Sequence, residues 1–247
     1  MNMALDHYFA GNIKKDADPI LRFYGWKPFC LSLGFHQKTD GISFENLYND
    51  GFTAVRRPTG GSAIFHSHEL TYSMIIPGSG IDHHSIYQEF HKILGRALQQ
   101  MGYAVQLHDE QDSSRYLNKG AETFACFNRP AFTEIKYNGR KLVGSAQKIY
   151  PDSLLQHGSI LIGRTQNRII HYISDKPEVK AKYEQVLKTS SICLHDIKKK
   201  DISAEEISKN IIKQFAAYGQ NSIYYKSPLE MELDTAERGS LQFEVTR

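Results

Sequence analysis

The chain has 247 residues, enough to bury a substantial core, and its 40% hydrophobic and 23% charged content is ordinary for a globular protein and excludes disorder as the default reading. A net charge of +3 is too weak to point to nucleic acid, though it suits an acidic protein partner. Three widely spaced cysteines, Cys30, Cys126 and Cys193, form neither a disulfide framework nor a CxxC metal site, which fits a reducing cytoplasm. The N-terminus carries the acid Asp6 instead of a basic n-region, and no apolar run approaches membrane-spanning length, so neither export nor a membrane is expected.

In chain order, residues 3–10 read as a short helix stopped by Gly11, and residues 21–24 and 29–34 as strands on either side of a turn holding Pro28. Residues 42–49 suit a helix ended by Gly51. Strands follow at 53–57, 63–65 and 70–76, the first two joined by a glycine turn. The apolar positions Ile86, Phe90, Ile93, Leu94, Ala97, Leu98 and Met101 have three-and-four spacing and predict an amphipathic helix over 86–101. Residues 132–137, the pair Asn138-Gly139 and residues 141–149 predict a hairpin, because Asn-Gly supplies the positive φ values of a type I′ turn. Pro151-Asp152-Ser153 turns the chain into a third antiparallel strand over 154–162. After Asn167 the composition shifts to lysine-rich helix, at 177–187 and from a Ser203-to-Glu206 capping box to about residue 218, with a mixed charged tail from Pro228. Without repeats or a low-complexity linker, the economical expectation is one domain over 1–247: an α/β (α+β) fold with mixed and antiparallel sheets flanked by helices, residues from about 168 forming a helical C-terminal extension.

The chemistry suggested by residue type is acyl transfer. Cys126, in Ala125-Cys126-Phe127-Asn128-Arg129-Pro130, is a potential thioester-forming nucleophile, and Lys141, on the second hairpin strand, is an amine able to handle protons or polarise a carbonyl. A thiol of pKa about 8.5 needs a nearby cation to enrich its thiolate, a role open to Lys141 or Arg57. In a regular hairpin Lys141 pairs near Lys136, which leaves Cys126 well over ~20 Å away along an extended strand. For the two side chains to meet, the cysteine segment would have to bend back at Arg129-Pro130, which the residues by themselves do not show. The turn Arg56-Arg57-Pro58-Thr59-Gly60-Gly61-Ser62 joins strands, so it is no Walker loop. It offers backbone N–H groups and guanidinium donors to a phosphate or carbonyl, or is a plain hairpin turn with solvated arginines. His66 with His68, and His83 with His84, lack a third ligand at metal-binding spacing, so no metal is expected.

Three motifs in order, Arg56-Arg57-Pro58-Thr59-Gly60-Gly61 with Phe65-His66 and Glu69-Leu70-Thr71-Tyr72-Ser73, then Asn138-Gly139-Arg140-Lys141-Leu142-Val143-Gly144-Ser145-Ala146-Gln147, then Gln156-His157-Gly158-Ser159-Ile160-Leu161, resemble the lipoate-protein ligase A and octanoyltransferase superfamily. The resemblance runs through most of the chain and implies a biotinyl/lipoyl protein ligase-like catalytic domain. Ala125-Cys126-Phe127 with Pro130 and Glu134 looks most like the cysteine-dependent octanoyltransferases, in which the nucleophile stands here.

The resemblance implies that Cys126 takes octanoate from octanoyl-acyl carrier protein as a thioester and passes it to a lysine of a lipoyl-accepting protein, the glycine cleavage H protein or a lipoyl domain of a 2-oxoacid dehydrogenase, with Lys141 as the family's lysine. No cofactor is then needed. The alternatives are an ATP- and magnesium-dependent lipoate ligase, an amidotransferase between carrier proteins, and a non-catalytic acyl-binding relative. Gly60, Gly61 and Ser62 are expected in one wall of the acyl site with Arg57 and His66 nearby, Gly144 and Ser145 in another, and His157 lining the pocket. Phe65, Tyr72 and Leu142 are either its apolar lining or ordinary core. Ser62 stands where ligases carry a third glycine, which favours the transferase.

Overall fold

A computed structural model describes residues 1–109, 133–173, 177–219 and 223–245. Its centre is a four-stranded antiparallel sheet in the order β1 (Ile20–Tyr24), β5 (Glu69–Pro77), β10 (Ser153–Leu161), β9 (Val143–Tyr150). The two long inner strands pair from Leu161 opposite Glu69 to Ser153 opposite Pro77. Side chains alternate across a strand, and β5 uses both faces. Leu70, Tyr72 and Met74 join the main core, whereas Thr71, Ser73 and Ile75 turn to the opposite face, where Ile75 packs with Ala10 of α1 (Asn2–Asn12) and Ser73 bonds to Asp6.

The long helix, α3 (His83–Gln100), closes the core face with Phe90, Leu94, Ala97 and Leu98. It starts three residues earlier than periodicity suggests because Asp82 caps it, accepting from the backbone N–H groups of His84 and Ser85. Against it packs α6 (Ala204–Gly219), with Ile207 and Ile211 buried in the same core and Phe215 meeting Phe90 at 5.3 Å between ring centres. Ser203 caps α6 by accepting from the Glu206 N–H at 3.0 Å, as the sequence signals.

Three features differ from expectation. The strands on either side of the glycine turn, β3 (Thr53–Arg56) and β4 (Ile64–His66), do not form a hairpin; they flank β2 (Cys30–Leu33), parallel to it on one side and antiparallel on the other. The turn therefore passes over the end of β2, where a Cβ on Gly34 would fall 1.8 Å from the Gly61 carbonyl oxygen. The hairpin after residue 132 is also shorter than predicted. β7 (Thr133–Tyr137) and β8 (Arg140–Lys141) pair through the Asn138-Gly139 turn, at φ 48° and 75°, in a third sheet with the unpredicted strand β6 (Gln106–Asp109). β9 then leaves for the central sheet. Leu142 is the pivot: its N–H donates to Ile135 at 2.9 Å and its carbonyl accepts from Leu161 at 3.2 Å, so one buried residue satisfies two sheets. Finally, the charged tail contains a helix, α7 (Glu230–Arg238), that returns to the N-terminus, where Ala236 and Phe243 pack on Met3, Ala4 and Leu5.

The contact between Gly34 and Gly61 makes a sharp prediction. Gly34→Ala should overpack the turn and lower stability by about 1–3 kcal/mol or more, whereas Gly60→Ala, whose new Cβ meets nothing within 4 Å, should stay within about 0.5 kcal/mol of the parent. Urea denaturation midpoints of the two variants test this; equal midpoints would show that the turn does not press on Gly34.

Candidate active site

A narrow pocket opens where α1, β4 and the facing strands β5, β9 and β10 converge. Arg57, His66, Gly144, Ser145 and His157 all line it, although they are up to a hundred residues apart in the chain. Met3, Ile64 and Ala146 supply apolar wall. Of the two readings open for Phe65, Tyr72 and Leu142, pocket lining or ordinary core, the structure places all three in core clusters and none among the lining residues. Strand alternation is the reason for Phe65: Ile64 and His66 face the pocket, so Phe65 points to the opposite cluster beside Phe29, Phe52 and Tyr172. Leu142 and Tyr72 are held in the main core.

The Arg57 guanidinium is buried and organises the glycine turn from within. It donates to the carbonyls of Gly60 and Ser62, both at 2.8 Å from Nη2, and to Ser32 from Nη1 at 3.3 Å. Gly60, Gly61 and Ser62 thus form the turn that Arg57 ties down, and it is the arginine that reaches the pocket. Arg56 similarly donates to the carbonyls of Gly34 and Gln37.

Two buried histidines on the pocket wall are each held by a carboxylate. His66 donates from Nδ1 to Glu69 Oε1 at 2.6 Å, with Ser32 Oγ 2.7 Å from its Nε2 and the Trp26 indole stacked on its ring at 4.3 Å. Thr71 and Ser159 add hydroxyl donors to the same Glu69 oxygen at 2.6 and 2.7 Å. His157 turns Nδ1 toward Asp6 Oδ2 at 3.4 Å and Nε2 toward Thr59 Oγ1 at 2.6 Å. Burial pulls the His157 pKa down despite the acid, so the ring is neutral at pH 7. Burial alone would raise Asp6, but the His157 hydrogen bond, the Arg22 charge and Ser73 outweigh it and keep the carboxylate ionised. With Nδ1–H directed at that carboxylate, Nε2 of His157 accepts the Thr59 proton.

Lys141 is buried behind the pocket, with Nζ 2.7 Å from Glu134 Oε1, while Lys136 holds Oε2 at 2.8 Å. Burial opposes ionisation of Glu134, yet the Lys141 charge and the lysine hydrogen bonds prevail and hold its pKa below the ordinary value. Between this pair and the pocket lies His91 on α3. Its Nδ1 donates to the Tyr87 carbonyl at 2.9 Å, and its Nε2 is 2.8 Å from Ser145 Oγ, to which the Tyr72 hydroxyl also bonds.

Cys126 lies outside the described residues, so its approach to Lys141 and the bend expected at Arg129-Pro130 are not part of this geometry. Among the described cysteines, burial pushes Cys30 up to about 12 and Cys193 to about 11, leaving both as thiols at neutral pH. Sequence reasoning missed Asp6, Glu69, His91 and Glu134 as site components. Asp6 and His91 carried a signal: each is a polar residue on an otherwise apolar helix face, beside Met3, Ala4 and Leu5 or between Phe90 and Leu94.

Burial, reinforced by the Lys141 charge, lowers the His91 pKa to about 4 from the ordinary 6.5. Between those values the unfolded chain binds a proton that the folded one refuses, so stability should fall as pH drops from about 6.5 toward 4 and level off above. His91→Gln should flatten part of that slope. Thermal midpoints of both proteins from pH 4 to 8 provide the check, and identical slopes would sink the assignment.

Residues 1–216 match the lipoyl protein ligase A/B catalytic domain family. A protein of Kyrpidia tusciae named Octanoyltransferase LipM is 31% identical, the match covering 87% of this chain and 81% of that protein. Another of the same name from Brevibacillus brevis is 31% identical, with 96% and 89% covered. A bi-partite lipoate protein ligase from Thermoplasma acidophilum, solved in a study of an archaeal lipoylation system, superposes with a TM-score of 0.78 at 17% identity, over 96% of this chain and 85% of that one, and so shares the fold. The mixed α and β architecture, the ordered motifs and these relatives agree: the chain belongs to the lipoyl protein ligase A/B catalytic domain family and is an acyltransferase.

Proposed function

We propose that the protein is an octanoyltransferase of lipoate biosynthesis, which takes octanoate from octanoyl-acyl carrier protein onto Cys126 and delivers it to a lysine of a lipoyl-accepting protein, with no ATP and no metal. The observation that carries the reading is the convergence of Arg57, His66, Gly144, Ser145 and His157 on one narrow pocket with the buried Lys141 pair behind it. The names of the curated relatives point the same way.

The chemistry is balanced in two steps. In the first, the Cys126 thiolate attacks the carrier thioester, a new C–S bond replaces the old, and the carrier leaves as its thiolate; one thioester replaces another, so no nucleotide is consumed. In the second, the acceptor amine attacks the acyl-enzyme, a C–N bond forms, the C–S bond breaks, and the proton lost from nitrogen ends on sulfur. Cys30 and Cys193, with thiols held protonated by burial, are poor alternatives for the first step. The acceptor lysine, with an ordinary pKa of about 10.4, must lose a proton before it attacks. Lys141, held by Glu134, is the group assigned to polarise the acyl carbonyl and manage that proton. The acceptor is either the glycine cleavage H protein or a lipoyl domain of a 2-oxoacid dehydrogenase.

Incubation with octanoyl-acyl carrier protein without ATP should give a thiol-reversible octanoyl adduct by intact mass, absent in Cys126→Ala; an adduct that requires ATP would overturn the reading in favour of a ligase. Lys141→Ala should slow overall transfer by about 10²–10⁴-fold. Shortening the donor from octanoyl to butanoyl removes four methylenes at about 0.8 kcal/mol each, and should lower kcat/KM by roughly 10²-fold. Equal rates for the two donors would mean that the pocket does not hold the acyl chain.

A further inference from the structure

The pocket is walled by polar residues whose side-chain donors are spent inside the wall. Thr71 of β5 and Ser159 of β10 stand directly opposite each other in the sheet, so their side chains share one face, and Glu69 lies on that face two residues before Thr71. Thr71 and Ser159 donate to Glu69 Oε1 at 2.6 and 2.7 Å, and His66 Nδ1 donates to the same oxygen at 2.6 Å. Asp6 takes the rest of this wall, accepting from the Tyr24 hydroxyl at 2.8 Å and from His157 Nδ1 at 3.4 Å. The second ring nitrogens of His66 and His157 are engaged with Ser32 and Thr59. Arg57 is spent as well: Nε donates to Gly60, Nη1 to the Ser32 carbonyl and hydroxyl, and Nη2 to Gly60 and Ser62, which accounts for all five N–H groups of a guanidinium. Ser145 turns its hydroxyl to Tyr72 and His91 on the opposite face of the sheet. Among the described lining residues, no side-chain donor is left over for an occupant.

Glu69 itself is not among the lining residues, and its Oε2 is buried without a partner among the described residues, so the group that gathers these donors is not offered to an occupant. A hydrocarbon chain entering such a pocket gives up no hydrogen bond. A keto oxygen can only accept, so it would be stripped of water and find no side-chain donor in return. We propose that Glu69 is a positioning residue that sets acyl specificity: by drawing the protons of His66, Thr71 and Ser159 into the wall, it makes the pocket select a plain hydrocarbon chain over one carrying a carbonyl along its length. The inference rests on the acyl-transfer reading above and deepens it by assigning the rejection of oxidised chains to one residue.

The test compares octanoyl-acyl carrier protein with donors bearing a keto group on carbon 5 or carbon 7 of the chain, at a saturating concentration of a lipoyl-accepting protein. Wild type should favour octanoyl by about 10-fold to 100-fold in kcat/KM, the usual penalty for a buried acceptor left without a donor. Glu69→Met removes the gathering oxygen and frees three donors, and should bring that ratio to within about threefold of one. Glu69→Gln, which keeps an oxygen at the same place, should recover most of the preference. Ser159→Ala should keep the wild-type ratio, because a proton already spent on Glu69 is not missed by the chain. A merely structural role for Glu69 would slow all donors alike and leave the ratio unchanged, which would overturn the inference. So would a wild-type ratio within about threefold of one for both keto donors, or a Ser159→Ala ratio about 10-fold above wild type. These last two measurements stand even if Glu69→Met does not fold. If wild type transfers no octanoyl group without ATP, the transfer reading falls by itself, and calorimetric titration with octanoic acid and the two keto acids decides: a preference for octanoic acid of about 10-fold or more supports the inference, and equal affinities or no binding overturn it.

Discussion

A single buried carboxylate holds the pocket wall together. Asp6 has no exposed surface, yet it stays ionised because Arg22 and Tyr24 of β1, Ser73 of β5 and His157 of β10 all turn donors toward it. An isolated charge in such a place is prohibitively unfavourable, and removing one partner of a buried pair typically costs about 3–5 kcal/mol. Helix α1 is thereby fixed to three strands at one point. Met3, one turn earlier on the same helix, is delivered to the pocket as apolar wall, and His157 is delivered as a neutral ring with a defined tautomer.

The same logic recurs on the other side of the site. Glu134 on β7 gathers Lys136 and Lys141, and Lys141 stands one residue before Leu142, where the chain changes sheets. The step carries Gly144 and Ser145 into the central sheet while leaving Lys141 in the smaller one, so the Lys141 amine and the pocket wall belong to different sheets and are set against each other by the Leu142 hydrogen bonds. His91 closes the gap: it senses the Lys141 charge on one side and accepts from Ser145 on the other. A rigid arrangement of this kind puts the orientation of the polar groups into the fold, so little reorganisation is left for the moment of reaction.

Much of this was legible in the sequence. Hydrophobic spacing located α3, Ser203 marked the start of α6, Asn138-Gly139 gave the turn and its positive φ values, and the three ordered motifs picked out five residues that meet in one pocket. These signals are local: a helical stripe, a cap and a two-residue turn are dictated by neighbours in the chain, and a motif reports residue types at fixed spacing. Tertiary structure alone decided which face of each strand turns to the pocket, and so placed Ile64 in the lining and Phe65 in the core. It also paired Asp6 with His157, Glu69 with His66 and His91 with Ser145, across separations of 151, 3 and 54 residues. Even the shortest of these gave no sign of itself, because a carboxylate and an imidazole become partners only when burial removes the water that would otherwise satisfy each one.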